Sequence, residues 1–151
     1  MTTILLADDC ANIRKLLKQE LEDEGYRVLV ARDGKEAVEV VRSDRPDLAV
    51  LDILMPRANG LEAAEHIRRI DPAIAVILFT NNDELCVCDT RSAFAAACVE
   101  KHADLDELKR AIRYVLARPN GKSRYRIGLP PVEGHPTSRS VTTVEPGPQN
   151  R

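Results

Sequence analysis

A chain of 151 residues with net charge −2, 44% hydrophobic and 30% charged side chains has the composition of about one ordinary globular domain. No run approaches the roughly 18 apolar residues of a membrane span, and Met1 to Asp8 lacks a basic stretch leading into a long apolar one, so a cytoplasmic location is expected. Aromatic residues make up only 3%, with no Trp, which leaves Leu, Ile, Val and Ala to fill the core.

Ile4 to Ala7 reads as a first strand. Ile13, Leu16, Leu17 and Leu21 then recur on one helical face, with Asn12 as cap and Gly25 as stop. Arg27 to Ala31 is a second strand, and Ala37, Val38 and Val41 mark the inward stripe of a second helix. After Pro46, the unbroken run Leu48-Ala49-Val50-Leu51 suits a strand covered on both faces. A third helix follows from Leu61 to Ile70, with Leu61, Ala64, Ile67 and Ile70 facing inward. Ala75 to Phe79 is a fourth strand, Glu84 to Ala96 a fourth helix, Cys98 to Glu100 a short fifth strand, and Leu105 to Ala117 a fifth helix. This alternation predicts an α/β fold with a doubly wound parallel sheet and helices on both faces.

From Arg118 the pattern stops. The last 34 residues hold six of the nine prolines and carry six basic against two acidic side chains, so an acidic body of residues 1–117 meets a basic, Pro-rich tail, 118–151, expected to be largely disordered. Such a tail could meet a nucleic acid, an acidic partner or its own domain, but charges of this kind are usually just solvated, and direct nucleic-acid binding is not expected. So few mostly polar residues cannot bury an independent core.

Chemistry concentrates where the apolar runs end. Asp8 and Asp9 follow the first strand, Asp52 the third, Thr80 the fourth and Lys101 the fifth. Strand carboxyl ends line one edge of an open parallel sheet, where ligands bind, so these residues converge. Magnesium takes oxygen ligands and needs only one or two carboxylates beside phosphoryl oxygens. Asp9 and Asp52, with Asp8 through a water, supply them. Without the ion the clustered carboxylates repel, and at least one should titrate above its ordinary range. Asp52, alone at the end of the central strand, is the candidate nucleophile for an aspartyl-phosphate, Lys101 neutralises phosphoryl charge, and Thr80 donates its hydroxyl to the product.

Asp8-Asp9, Asp52-Ile53-Leu54-Met55-Pro56 with Asn59-Gly60-Leu61-Glu62, Thr80 and Lys101, the last two 28 and 49 residues beyond Asp52, resemble a response-regulator receiver domain of two-component signalling over residues 3 to 117. The resemblance implies a flavodoxin-like strand order 2-1-3-4-5, Mg2+ held by Asp8, Asp9, Asp52 and the backbone carbonyl of Leu54, and phosphoryl transfer to Asp52 from a histidine kinase or phosphotransfer protein. It further implies a phosphoacceptor switch rather than an enzyme, with at most slow self-phosphorylation and self-dephosphorylation, signalling to an output protein that the sequence does not identify. Without a second folded domain, a stand-alone receiver is expected. The alternatives are a pseudo-receiver acting as a constitutive binding module and a piece of a DNA-binding regulator.

Some positions depart from the family. Cys98 stands where an aromatic residue usually couples to the Thr, which should mute that relay, and His102 replaces the Pro after Lys101. A cis bond before a non-proline costs about 2.5–4 kcal/mol, so Lys101-His102 should be trans. Leu54 offers no polar side chain to orient a hydrolytic water, which predicts a long phosphoryl lifetime, with Asn82 as partial compensation. Cys86 and Cys88 lack a second pair for zinc, and all four thiols are expected reduced. Cys10, next to the acidic pair, could block metal entry when modified. Neither a Gly-x-Gly-x-x-Gly nor a Gly-x-x-x-x-Gly-Lys segment is present. The Asp-x-His-x-x-Gly loop of cobalamin domains and the Asp-x-Asp of haloacid-dehalogenase-like phosphatases are also missing.

Overall fold

The apolar runs become parallel strands whose side chains alternate between two buried faces. In the computed structural model, which describes residues 1–57, 59–81, 95–101, 105–117 and 125–126, the order is β1 (Thr3–Ala7), α1 (Ala11–Asp23), β2 (Arg27–Ala31), α2 (Gly34–Asp44), β3 (Leu48–Leu51), α3 (Gly60–Ile70), β4 (Ala75–Thr80), β5 (Ala97–Glu100), α4 (Leu105–Leu116) and β6 (Tyr125–Arg126). The expected fourth helix lies almost wholly outside the described residues, so α4 here is the helix expected as the fifth. All pairings are parallel and the sheet order is β2-β1-β3-β4-β5-β6. The first five strands thus take the expected 2-1-3-4-5 order.

β6 was not legible in the periodicity. Of the tail only Tyr125 and Arg126 are described; they pair in parallel with Ala97 and Cys98 and extend the sheet by one short strand. Backbone pairing at a free sheet edge needs no apolar signal.

Ile4, Leu6, Leu48, Val50, Ile77, Phe79 and Val99 face one core with Leu17, Leu21, Leu108, Ala111, Ile112 and Val115, from α1 and α4. Leu5, Ala7, Ala49, Leu51, Val76 and Leu78 face the other with Ala37, Val41, Leu61, Ala64 and Ile67, from α2 and α3. This two-sided burial is why β3 reads as a continuous apolar run rather than an alternating one. Two details of α1 differ from expectation. Leu16 is exposed, because at about 100° per residue the Leu17–Leu21 line points inward and leaves Leu16 beside it. The cap is Cys10 rather than Asn12, since the Cys10 carbonyl already accepts the Arg14 N–H. No helix among the described residues is long and apolar enough to cross a membrane.

Candidate functional site

Three backbone hydrogen bonds carry the sheet ladder one residue past the strands and place the chemistry. Asp8 N–H donates to the Ala31 carbonyl at 3.2 Å, Asp52 N–H to the Ala7 carbonyl at 2.9 Å, and Lys101 N–H to the Thr80 carbonyl at 2.9 Å. Side chains from four separate segments are thereby fixed along one edge. Asp8, Asp9 and Asp52 each offer a carboxylate oxygen within 4.8 Å of the others. Lys101 Nζ lies 2.7 Å from Asp8 Oδ2 and 2.9 Å from Asp52 Oδ2. Thr80 is buried at the end of β4, opposite Glu100 in the register.

The burial is uneven. Asp8 and Asp52 are buried and Asp9 is exposed. Asp8 is also the more constrained: its Oδ1 accepts the Cys10 N–H at 2.8 Å, and its carbonyl accepts from Arg14 Nη1 at 2.6 Å. Leu54 N–H makes a long 3.4 Å contact to Asp52 Oδ1, and the Leu54 side chain is exposed. Burial pushes the Asp52 carboxyl above its ordinary range, outweighing the lowering effect of Lys101. Burial pulls the Lys101 ammonium down, but the two carboxylates more than restore it, and its affinity for the proton is raised. Lys101 therefore stays charged and bridges two acids. The donor set, carboxylate oxygens in excess of one ammonium, suits a hard divalent cation such as magnesium.

Three contributors escaped the sequence reading. Arg14, one turn into α1, holds the carbonyl of Asp8. Asp33 and Arg57 form an ion pair between the β2–α2 and β3–α3 loops. Gly60, read only as part of a motif, packs so closely that a Cβ there would lie 2.1 Å from the Asp52 carbonyl oxygen. Because the obstructing atom is backbone, Gly60→Ala is expected to lose about 3 kcal/mol or more, read as a lower urea midpoint. An unchanged midpoint would mean that the loop yields freely.

Asp33 caps α2 by accepting the Glu36 N–H at 2.9 Å. Burial pushes its carboxyl up, but the Glu36 N–H and the Arg57 guanidinium outweigh this and hold it below the ordinary 3.8. A folded-state value below the unfolded one contributes stability that is fully present above the unfolded value and lost as pH falls through the folded one. Asp33→Asn is therefore expected to lower the urea midpoint at neutral pH and to converge with the wild type in strong acid. Parallel midpoint curves across that range would contradict it.

One thiol differs from expectation. Cys10 is free and exposed, but Cys98 is disulfide-bonded. Pairing depends on Cα separations within about 7 Å, which sequence spacing does not show. Among the described residues no peptide bond is cis. His102, Asn82, Cys86 and Cys88 lie outside them, as does the Lys101-His102 bond.

The sequence matches the response regulator receiver domain over residues 4–113. It is 34% identical over 114 residues to sporulation initiation phosphotransferase F of Bacillus subtilis, covering 75% of this chain and 92% of that protein. It is 39% identical over 82 residues to the response regulator MprA of Mycolicibacterium vanbaalenii, covering 54% of this chain but only 36% of MprA. The chain thus spans about a third of that relative's length. Among solved structures, the response regulator TrrA of Thermotoga maritima, in complex with Mg2+-BeF, is 40% identical with a TM-score of 0.73, over 76% of this chain and 99% of that one. TrrA in complex with the histidine kinase ThkA superposes with a TM-score of 0.71 at the same identity, over 77% of this chain and 99% of that one.

Proposed function

The chain belongs to the response regulator receiver domain family, and we propose that it is a phosphoacceptor switch in which Asp52 takes a phosphoryl group from a histidine kinase or phosphotransfer protein. The observation that carries this reading is Lys101 Nζ seated between Asp8 and Asp52, with Asp9 completing a carboxylate cluster. An Asp52 carboxylate oxygen attacks phosphorus, the P–N bond to the donor imidazole breaks, and the electron pair leaves on that nitrogen, which takes a proton. Lys101 is already charged and held within reach of the oxygens that gain negative charge. Asp8, Asp9, Asp52 and the Leu54 carbonyl would hold magnesium, which neutralises the phosphoryl oxygens. Thr80, buried at the end of β4, would donate its hydroxyl to the bound phosphoryl group.

The TrrA–ThkA complex supports a histidine kinase as the donor's class. The 92% coverage of the Bacillus phosphotransferase supports a receiver that works without an attached output domain. The arrival of the phosphoryl group would shift the population toward a conformer whose β5–α4 side binds an output protein. The test is intact mass after incubation with acetyl phosphate, with and without magnesium. A magnesium-dependent gain of one HPO3 supports the switch. No gain in a protein that still binds magnesium overturns it in favour of a constitutive binding module.

A further inference from the structure

We propose that Arg57 and Asp33 are positioning residues for the metal site: their ion pair holds the β3–α3 loop so that the Leu54 carbonyl meets the ion. This rests on the metal reading above. The loop leaves β3 at Asp52 and is closed behind Leu54 by the Gly60 N–H, which donates to the Ile53 carbonyl at 2.9 Å. Between those fixed points stands Arg57, in the left-handed region at φ 64°. L side chains rarely adopt that conformation, and here it is held by a side-chain anchor.

Arg57 Nε donates to Asp33 Oδ2 at 2.8 Å, and Arg57 Nη2 donates to the same oxygen. The other Asp33 oxygen caps α2, and Ala37 and Val41 bury that helix against the core. The loop is therefore tied, through Asp33, to the capped start of α2. The Asp33 side chain is 5% exposed and that of Arg57 is 57% exposed. A half-solvated pair adds little to stability, so the pair acts on position. Magnesium demands near-ideal octahedral geometry, and outer partners that orient a ligand commonly govern its affinity.

The sign of one substitution separates position from charge. Arg57→Gly removes a cation, so through-space electrostatics alone would tighten magnesium binding, while loss of the tether weakens it. Glycine also accepts the left-handed turn, so this variant keeps its backbone. By calorimetric titration of the full chain with magnesium chloride at fixed ionic strength, Arg57→Gly and Asp33→Asn are each expected to weaken binding by on the order of 10-fold. Arg57→Lys, which keeps a cation in reach of Asp33, should recover part of the loss. Arg57→Gly binding as tightly as the wild type, or tighter, overturns the proposal and leaves the metal reading standing. A wild type that takes up no magnesium overturns both.

Discussion

Asp52→Asn is expected to abolish the gain of about 80 Da that acetyl phosphate and magnesium produce in the wild type, one HPO3 on a carboxylate. The amide matches the carboxylate in shape but lacks the charge and the nucleophilic oxygen. The fold should survive, because burial already disfavours the Asp52 charge and its carboxyl titrates high for that reason. An asparagine oxygen also still accepts from Lys101, which at 2.9 Å is within ordinary bonding distance of this position. Asp8 and Asp9 are poor substitutes. Asp8 is buried, with its oxygens committed to the Cys10 N–H and to Lys101, and Asp9 is exposed at the rim. A mass gain that persists in Asp52→Asn would move the phosphoacceptor to another residue, and peptide mapping would say which.

Lys101→Met is expected to cost about 3 kcal/mol at neutral pH in the absence of divalent metal, the usual result of stripping the partner from a buried charge. Its ammonium is 2.7 Å and 2.9 Å from two carboxylates whose side chains are 2% and 6% exposed. Methionine fills the space of the stem and leaves two unpaired anions facing each other. Asp52 already titrates above 3.8 because burial raises it, and losing Lys101 raises it further. With the folded value above the unfolded one, stability falls as pH rises between them. The variant should therefore recover toward the wild type in mild acid, as the Asp52 carboxyl takes up its proton. Magnesium should also stabilise the variant more than the wild type, since the ion no longer competes with an ammonium for the same oxygens, and ligand linkage converts that affinity into stability. Urea midpoints with and without magnesium, at constant slope, measure both effects. Equal midpoints for the variant and the wild type without metal would mean that water already screens the pair.

The family relation and the physical reading meet at the same atoms. Of the residues singled out by their place after an apolar run, Asp8, Asp52, Thr80 and Lys101 are found where a ladder hydrogen bond sets them, one step past β1 and β3 and at the junction of β4 and β5. One local signal went unused: Asn59, read only as part of a motif, caps α3, and its Oδ1 accepts the Glu62 N–H at 2.9 Å. What escaped were relations between segments: the Arg57–Asp33 pair joins residues 24 apart, and Lys109 reaches Glu20 across 89. A charged residue on a solvated loop carries no mark of its partner.

Pattern alone determined the parallel α/β layering, the two-faced core and the identity of the clustered acids, because burial imposes a period on apolar side chains and strand ends fall where that period breaks. Only the tertiary structure decided the division of labour within the cluster. Asp8 and Asp9 are adjacent and chemically alike, but Asp8 is held on the last rung of the β1–β2 ladder and Asp9 stands in the bend after it. One is buried against Lys101 and the other is left in water. Folding likewise decided that residue 60 must be glycine, since only the closure of the β3–α3 loop brings it onto the backbone of Asp52.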